Sequence, residues 1–476
     1  IVKIDGRDYF QSRKRGADAI THVRAGAGPC LIHARVTRPY AHSLSDDQKK
    51  YRPAEELEDE LHHDPIENLE HALRRAGALT AADAAAIHDE AKQVVADAAR
   101  DALAAARPDP RHVTDHVYAI PAITDAPSDP PTPDPDAEVL GFGDSIRRAL
   151  RDEMARDERI RVFGEDVADA DPGVLDAVPG KGGVFGLTFG LQREFGIARC
   201  FNTPLAEANI VGRAVGQAVR GLRPSPEIQF FDYIWPAMHQ LRAEAATIRW
   251  RSDGRFSSPL VLRVPIGGYL VGGSIWHSQC GESIFAHIPG LLIAFPSRAR
   301  DAAGLLRSAF RGDDPVLFLE HKHLYRQGYN RDPYPPVDWV VPFGRGSYAT
   351  RGDAITVVTW GATVHRAELA AREVDPDATK IEIVDLRTIT PWDRELVAES
   401  VEKTGRLLVV HEDTLTAGFG AEIAAWVADE CFEFLDAPVW RLAATDTCVA
   451  YEPTLEDAIL PQVADIARDL RALLAY

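Results

Sequence analysis

From Glu138 to the end of the 476-residue chain, short apolar runs alternate with longer helical stretches. RVFGEDV, RCFNTPL, PEIQFFDY and PLVLRVP read as strands, separated by helices such as WPAMHQLRAEAATIRW. Strands joined through helices pair in parallel, and a parallel sheet is covered on both faces. The fold class that follows is α/β. Ahead of the first of these strands, GFGDSIRRALRDEMAR places Ile146, Leu150 and Met154 on one helical face. The pattern restarts near Asp338 with ITVVTWG, KIEIVDLRTITP and RLLVVHED, which predicts a second, smaller α/β unit. This length suits roughly three domains.

Residues 1 to 118 read differently. Asp8 is placed to cap a helix ending near Gly26, and CLIHARV follows as a buried strand. The loop YAHSLSDDQKKYR gathers His42, Ser43, Ser45, Asp46 and Asp47, and Ala81 to Ala106 has the spacing of an amphipathic helix. Residues 119 to 137, AIPAITDAPSDPPTPDPDA, are rich in Pro and Asp without periodicity and predict an extended linker. An α/β unit ordinarily has earlier strands for CLIHARV to pair with, and the first residue is Ile1 rather than Met. The expectation is a fragment whose upstream part is missing.

Charge and cysteines narrow the function classes. A formal net charge of -19 argues against nucleic acid as the main partner. It suits an ordinary soluble enzyme, or one that docks on a basic protein. Five scattered cysteines with no CxxC pair point to a reducing compartment, the cytoplasm, and away from a zinc site or disulfide framework. Neither a secretory signal nor a run of about 18 apolar residues is visible, so no membrane span is expected.

Three polar groups stand out among apolar neighbours. Thr203 and Pro204 can cap and open a helix with Glu207 in its first turn, where the helix dipole favours a carboxylate by about 0.3–1 kcal/mol. Leu205, Ala206, Ala208, Ile210 and Val211 surround it, which predicts a poorly solvated carboxyl able to share a proton near neutrality. Ala208, Gly212 and Gly216 form a small-residue stripe for a close neighbour. Phe230, Phe231 and Tyr233 end the expected strand, with Phe231 and Tyr233 on one side, serving either the core or a stacked heterocycle. The glycine loop IGGYLVGGSIWHSQ then leads into His277, Ser278 and Gln279. Imidazole is the side chain suited to proton exchange at pH 7, although His287 close by shows how common a single His is. Neither this loop nor GFGDSI is a GxGxxG phosphate cradle.

In order and spacing, NTPLAEANIVG, EIQFFDYIWPA, HSQCGESIFAHIPGL and DPVLFLEHKHLYR resemble the β subunit of the thiamine diphosphate-dependent 2-oxo acid dehydrogenase decarboxylating component. GPCLIHARV, the HSLSDD loop and DPIENL resemble the carboxyl-terminal end of its α subunit. The resemblance implies a transketolase-like, thiamine diphosphate-binding parallel-sheet domain over 138–330. A smaller α/β C-terminal domain over 338–476 follows it, and an α-subunit-like α/β piece over 1–118 precedes it. It implies that Glu207 hydrogen-bonds the aminopyrimidine of thiamine diphosphate, with Leu205 and Tyr233 against the ring. His277 then serves substrate and acyl transfer, and His42 lies near the diphosphate. Ser43, Ser278 and Gln279 fall along the substrate and lipoyl channel, and Ser43 matches a serine phosphorylated in some members.

A GDG motif for Mg²⁺ and diphosphate is missing; Gly352-Asp353 is followed by Ala354. No metal ligand is therefore assigned, and the Mg²⁺ site is expected upstream. The implied partners are a lipoyl acyltransferase core, a small 2-oxo acid and a second fused chain in an α₂β₂-like homodimer. The HSLSDD, EIQFFDYIWPA and WHSQ segments resemble branched-chain members more than pyruvate members. A non-catalytic docking fragment and a ketol-transferring enzyme are the readings from other classes.

Overall fold

The computed structural model describes residues 1–119 and 136–476, so nearly all of the expected linker lies outside the described residues. The chain divides into two compact units, Ile1–Pro110 and Arg111–Tyr476.

In the first unit, strands β1 (Val2–Asp5) and β2 (Ile32–Arg35) pair in parallel, Val2 opposite Ile32. The helix Tyr9–Arg24 joins them, and the Asp8 side chain accepts from the Phe10 and Gln11 amides, as expected of its cap. The expected burial of CLIHARV does not occur: Leu31, Ile32 and Val36 are exposed. A two-stranded sheet offers too little area to cover a strand face. The long helix spans Ala81–Ala104 and is closed by a Thr80–Asp83 capping box.

The second unit has fourteen described strands. They are β3 (Val139–Gly141), β4 (Ile160–Gly164), β5 (Cys200–Asn202), β6 (Arg223–Glu227), β7 (Val261–Ile266), β8 (Leu292–Ala294) and β9 (Val316–His321). After them come β10 (Arg331–Pro333), β11 (Ser347–Thr350), β12 (Ile355–Thr359), β13 (Ile381–Asp385), β14 (Thr388–Thr390), β15 (Leu407–Thr414) and β16 (Trp440–Ala444). The larger sheet runs β14-β8-β9-β7-β6-β4-β5 and the smaller β11-β13-β12-β15-β16; β10 and β3 form a separate antiparallel pair. Only the edge strands β14 and β11 run antiparallel to their neighbours in the two large sheets. The helix Phe142–Arg156 buries Ile146, Leu150 and Met154, the face read from the sequence, and packs on the helix Ala299–Arg311.

Two expected elements take another form. The strand read as PEIQFFDY is displaced toward the amino terminus: β6 is RPSPE, and Phe231–Tyr233 is a 3₁₀ turn. Two prolines inside a strand between two others run against strand propensity. The hydrogen bonding explains them. Arg223 donates to Arg159 on the β4 side, and Ile228 donates to Arg263 on the β7 side. By alternation Pro224 and Pro226 also face β7, where the ladder has the single pair Glu227–Arg263, so the missing N–H groups are hardly needed. The expected helix over 235–250 is broken into a 3₁₀ turn at Trp235–Ala237, a π-helical stretch at Gln240–Ala245 and a short α-helix at Ile248–Arg251.

Candidate functional site

The strands β5, β4, β6 and β7 are adjacent in the larger sheet, and the segments leaving their carboxyl ends carry the candidate groups. Glu165 follows β4, Glu207 opens the helix after β5, Tyr233 closes the turn after β6, and His277 ends the loop after β7.

The helix after β5 spans Glu207–Val219 and starts at Glu207 itself. Thr203 and Pro204 lie outside it. The Thr203 amide donates to Gly164 at 2.8 Å, extending the β4–β5 pairing, and its hydroxyl is buried without a hydrogen-bond partner. The sheet thus overrides the cap expected from the sequence. Glu207 is half-buried, and its apolar neighbours flank it more than they enclose it: Ile210 and Val211 point into the core, whereas Leu205 and Ala208 are exposed. Of the two glycines in the small-residue stripe, Gly212 meets a close neighbour, a Cβ there lying 3.3 Å from Gln240 Oε1, and Gly216 faces open space.

Tyr233 and His277 meet directly. The Tyr233 hydroxyl lies 2.9 Å from His277 Nε2, and His277 Nδ1 lies 3.3 Å from the Gly273 carbonyl. A carbonyl only accepts, so Nδ1 carries the proton and Nε2 accepts from the phenol. Phe230 packs edge-on to the imidazole at 4.4 Å between ring centroids, and Phe185 edges Phe230 at 5.7 Å. Phe231 is buried in the core against Trp235 and Phe285, and Tyr233 is half-buried against the same cluster; the segment is a 3₁₀ turn, so the strand alternation expected to set their side does not apply. Burial, then Asp232, Glu165 and Glu207, push the Tyr233 phenol up, which keeps it a hydrogen-bond donor. Burial, then Asp166 and Glu207, raise the Glu165 carboxyl. Two carboxyls and a phenol therefore share one neighbourhood.

Below these groups Arg263 is fully buried. Its Nε and Nη2 donate to Glu320 at 2.6 and 2.9 Å, its Nη1 donates to Glu227 at 2.8 Å, and Tyr325 OH adds a bond to Glu320 at 2.8 Å. The glycine loop is anchored beside them. Gly267 has φ +92°, and a Cβ there would fall 2.2 Å from His321 Nε2. That imidazole contacts Glu412 at 2.6 Å, and Glu412 also accepts from the Gly268 amide.

Ser278 is buried with its hydroxyl turned to Gly273, and the Gln279 side chain donates to Ser274 and accepts from the Val449 amide. The Gln279 bonds hold the loop behind His277. His287 is exposed at the end of the helix Glu282–Ala286. His42 and Ser43 belong to the first unit and are exposed; the His42 amide and the Tyr51 hydroxyl both donate to Asp46, and Ser43 and Ser45 share a hydrogen bond at 3.1 Å. Among the described residues no group of three or more His, Cys, Asp or Glu could hold a metal ion. The sequence reading did not single out Glu165, although an acid directly after a strand of an open α/β sheet was a usable signal. Asp232 carried no signal of its own.

Residues 1–111 match the family model "Dehydrogenase E1 component", residues 140–327 "Transketolase, pyrimidine binding domain", and residues 344–466 "Transketolase, C-terminal domain". The 2-oxoisovalerate dehydrogenase subunit beta of Bacillus subtilis is 42% identical over 339 residues, covering 71% of this chain and 99% of the relative. The pyruvate dehydrogenase E1 component subunit beta of the same organism is 40% identical over 332 residues, covering 70% and 98%. A solved split-gene transketolase, an inactive β₄ tetramer, matches with a TM-score of 0.54 at 19% identity, covering 71% of this chain and 98% of its own, a likeness of fold. No described helix is long and apolar enough to cross a membrane. An E1-type segment followed in one chain by both parts of a β-subunit body makes this protein a member of the 2-oxo acid dehydrogenase E1 family.

Proposed function

We propose that the chain decarboxylates a branched-chain 2-oxo acid, such as 3-methyl-2-oxobutanoate, and passes the acyl group to a lipoyl domain of an acyltransferase core. The observation that carries this reading is the Tyr233–His277 pair beside Glu207 at the carboxyl ends of adjacent parallel strands. The half-buried Glu207 carboxyl and the aromatic wall of Phe230 and Tyr233 suit an aminopyrimidine ring. Thiamine diphosphate, when bound, supplies the carbon nucleophile and the electron sink. Glu207 holds and returns the proton of the ring nitrogen, Leu205 and Tyr233 give the ring its apolar contacts, and His277 exchanges a proton with substrate and lipoyl groups. Ser278 and Gln279 keep the loop of His277 at the channel, and the roles proposed for His42 and Ser43 belong to the α-like part. For Mg²⁺ the described residues present no matching donor set, and no step runs through it.

The organisation that goes with this reading is an α-like piece (1–118), a linker (119–137), a pyrimidine-binding part (138–330) and a C-terminal part (338–476). The protein works in the cytoplasm as a homodimer of fused chains. The experiment compares kcat/KM for 3-methyl-2-oxobutanoate and pyruvate with thiamine diphosphate and Mg²⁺. Extra methyl groups in an apolar pocket are worth about 10–200-fold each, so a clear preference for the branched substrate is expected. Preference for pyruvate moves the chain to the class of its pyruvate relatives. Cofactor binding without turnover of any 2-oxo acid leaves a core-docking role.

A further inference from the structure

The loop that carries His277 leaves β7 through Gly267 and Gly268 and passes Gly272 and Gly273 before it reaches the imidazole. Glycine loses more freedom on ordering than any other residue, so a loop of this make-up keeps one path only where its neighbours pin it. Two residues in it are held against their own preference: Tyr269 has φ +58° and Ser274 has φ +49°. A bulky residue in the left-handed region is strained, and such strain persists only where the surroundings over-determine it. For Tyr269 those surroundings come largely from residues 344–466, the segment that matches a transketolase C-terminal domain. Its hydroxyl donates to the Pro461 carbonyl at 2.9 Å, and the Arg366 guanidinium, on the helix Ala362–Val374, lies 3.5 Å from the centre of its ring. From the larger sheet, His323 Nδ1 meets the Tyr269 carbonyl at 2.9 Å.

The same segment pins both ends of the loop. At the start, Glu412 in β15 accepts from the Gly268 amide through one oxygen and contacts His321 Nε2 at 2.6 Å through the other, and both side chains are buried. A Cβ on Gly268 would lie 2.6 Å from Leu460 Cδ1, so the glycine lets the segment approach this closely. At the end, the Val449 amide donates to the Gln279 side chain, two residues past His277, at 3.2 Å. The Gly267 amide and the Gln279 carbonyl, 3.3 Å apart, close the neck between the two ends. We propose that the C-terminal segment is the template on which the His277 loop takes its path, with Glu412 and Tyr269 as the positioning residues. The larger sheet supplies the loop, and contacts made from the C-terminal segment decide where its imidazole meets Tyr233. The inference rests on the role given to His277 above, and its test separates the two.

Amide hydrogen exchange over residues 267–279 is followed by mass spectrometry in the cofactor-free full chain, as wild type, Tyr269→Phe, Glu412→Gln and Glu412→Ala. Tyr269→Phe loses the bond to Pro461 alone and should speed exchange in the loop about fivefold, the factor that goes with one hydrogen bond. Glu412→Ala should speed it about tenfold or more, whereas Glu412→Gln keeps an oxygen for the Gly268 amide and should stay near wild type. Exchange in β4 and β5 should not change; if Glu412→Ala unfolds them, Tyr269→Phe decides. In the loaded enzyme Tyr269→Phe should lower kcat about fivefold with little change in KM, the mark of a misplaced group. It should cost nothing further in a His277→Ala background. Unchanged loop exchange in Tyr269→Phe, loosening by Glu412→Gln as great as by Glu412→Ala, or additive losses in the double variant overturns the proposal. Wild-type activity in His277→Ala alone overturns the role of His277, and the exchange arms still judge the template.

Discussion

Replacing Arg263 by Met tests how the centre of the larger sheet is held. In the protein its guanidinium makes two bonds to Glu320 and one to Glu227, all between fully or nearly fully buried groups. Met fills most of the volume of the stem but leaves two carboxyls without their cation. Each escapes a buried charge only by taking up a proton. For a carboxyl with a reference pKa of about 4.3, this costs about 4 kcal/mol at pH 7.5 and about 1.6 kcal/mol at pH 5.5. Relief from burying the guanidinium offsets part of the total, so the net loss should be about 3–5 kcal/mol at pH 7.5. At pH 5.5 it should shrink by about 2.7 kcal/mol for each proton taken up, so little of it should remain. The pull on Glu227 has the same sign: burial raises its carboxyl and Arg263 holds it down. Urea denaturation of wild type and variant at the two pH values measures both quantities. A loss under about 1 kcal/mol at pH 7.5, the size of a surface ion pair, refutes the reasoning. So does a loss that acid fails to reduce.

Other perturbations reach other parts of the molecule. Glu207→Gln should cut 2-oxo acid decarboxylation by at least about 100-fold while leaving the urea midpoint in place; near-normal turnover removes the assignment of the ring-nitrogen proton to this residue. Gly182→Ala should destabilise by roughly 2 kcal/mol or more in thermal melts, because φ is +66° and the new Cβ would sit 2.1 Å from the Phe189 backbone. Trp360→Phe removes the donor that meets Glu282 Oε1 at 2.8 Å and should cost about 1–3 kcal/mol, since the carboxyl stays buried. Burial and then Asp413 push the Glu282 carboxyl up to about 8 from 4.5. Its folded pKa is the higher one, so its contribution is full below pH 4.5 and is lost as pH rises through 8. Melting temperature should therefore fall between pH 6 and 9 in the wild type, and Glu282→Gln should flatten that slope.

What could be read from the sequence followed from local pattern, and what could not was set by tertiary pairing. The helix bearing Ile146, Leu150 and Met154 was legible because its periodicity and its burial coincide. β6 was not: Pro224 and Pro226 look like breakers until the thin β7 side of the ladder is known. Thr203 and Pro204 carry good capping chemistry, yet pairing with β4 draws that stretch out straight. In the candidate site the residue types at Glu207, Tyr233 and His277 could be picked out. The bond between the last two could not, because it joins segments 44 residues apart through a loop whose path glycines permit but do not specify. Glu165 and Asp232 matter through their neighbours, and a sequence does not list neighbours.

The small strand β14 has a consequence for synthesis. Thr388–Thr390 belongs by position to the C-terminal transketolase-type segment, yet it completes the larger sheet by pairing with β8. On the ribosome, β8 is made well before its partner, so one flank of that sheet waits with open hydrogen-bonding groups. Such a flank invites pairing with another nascent chain. Chains stopped shortly after Tyr334 should therefore clump even though their parallel strands are complete, and a gene split at that point would need both products made together.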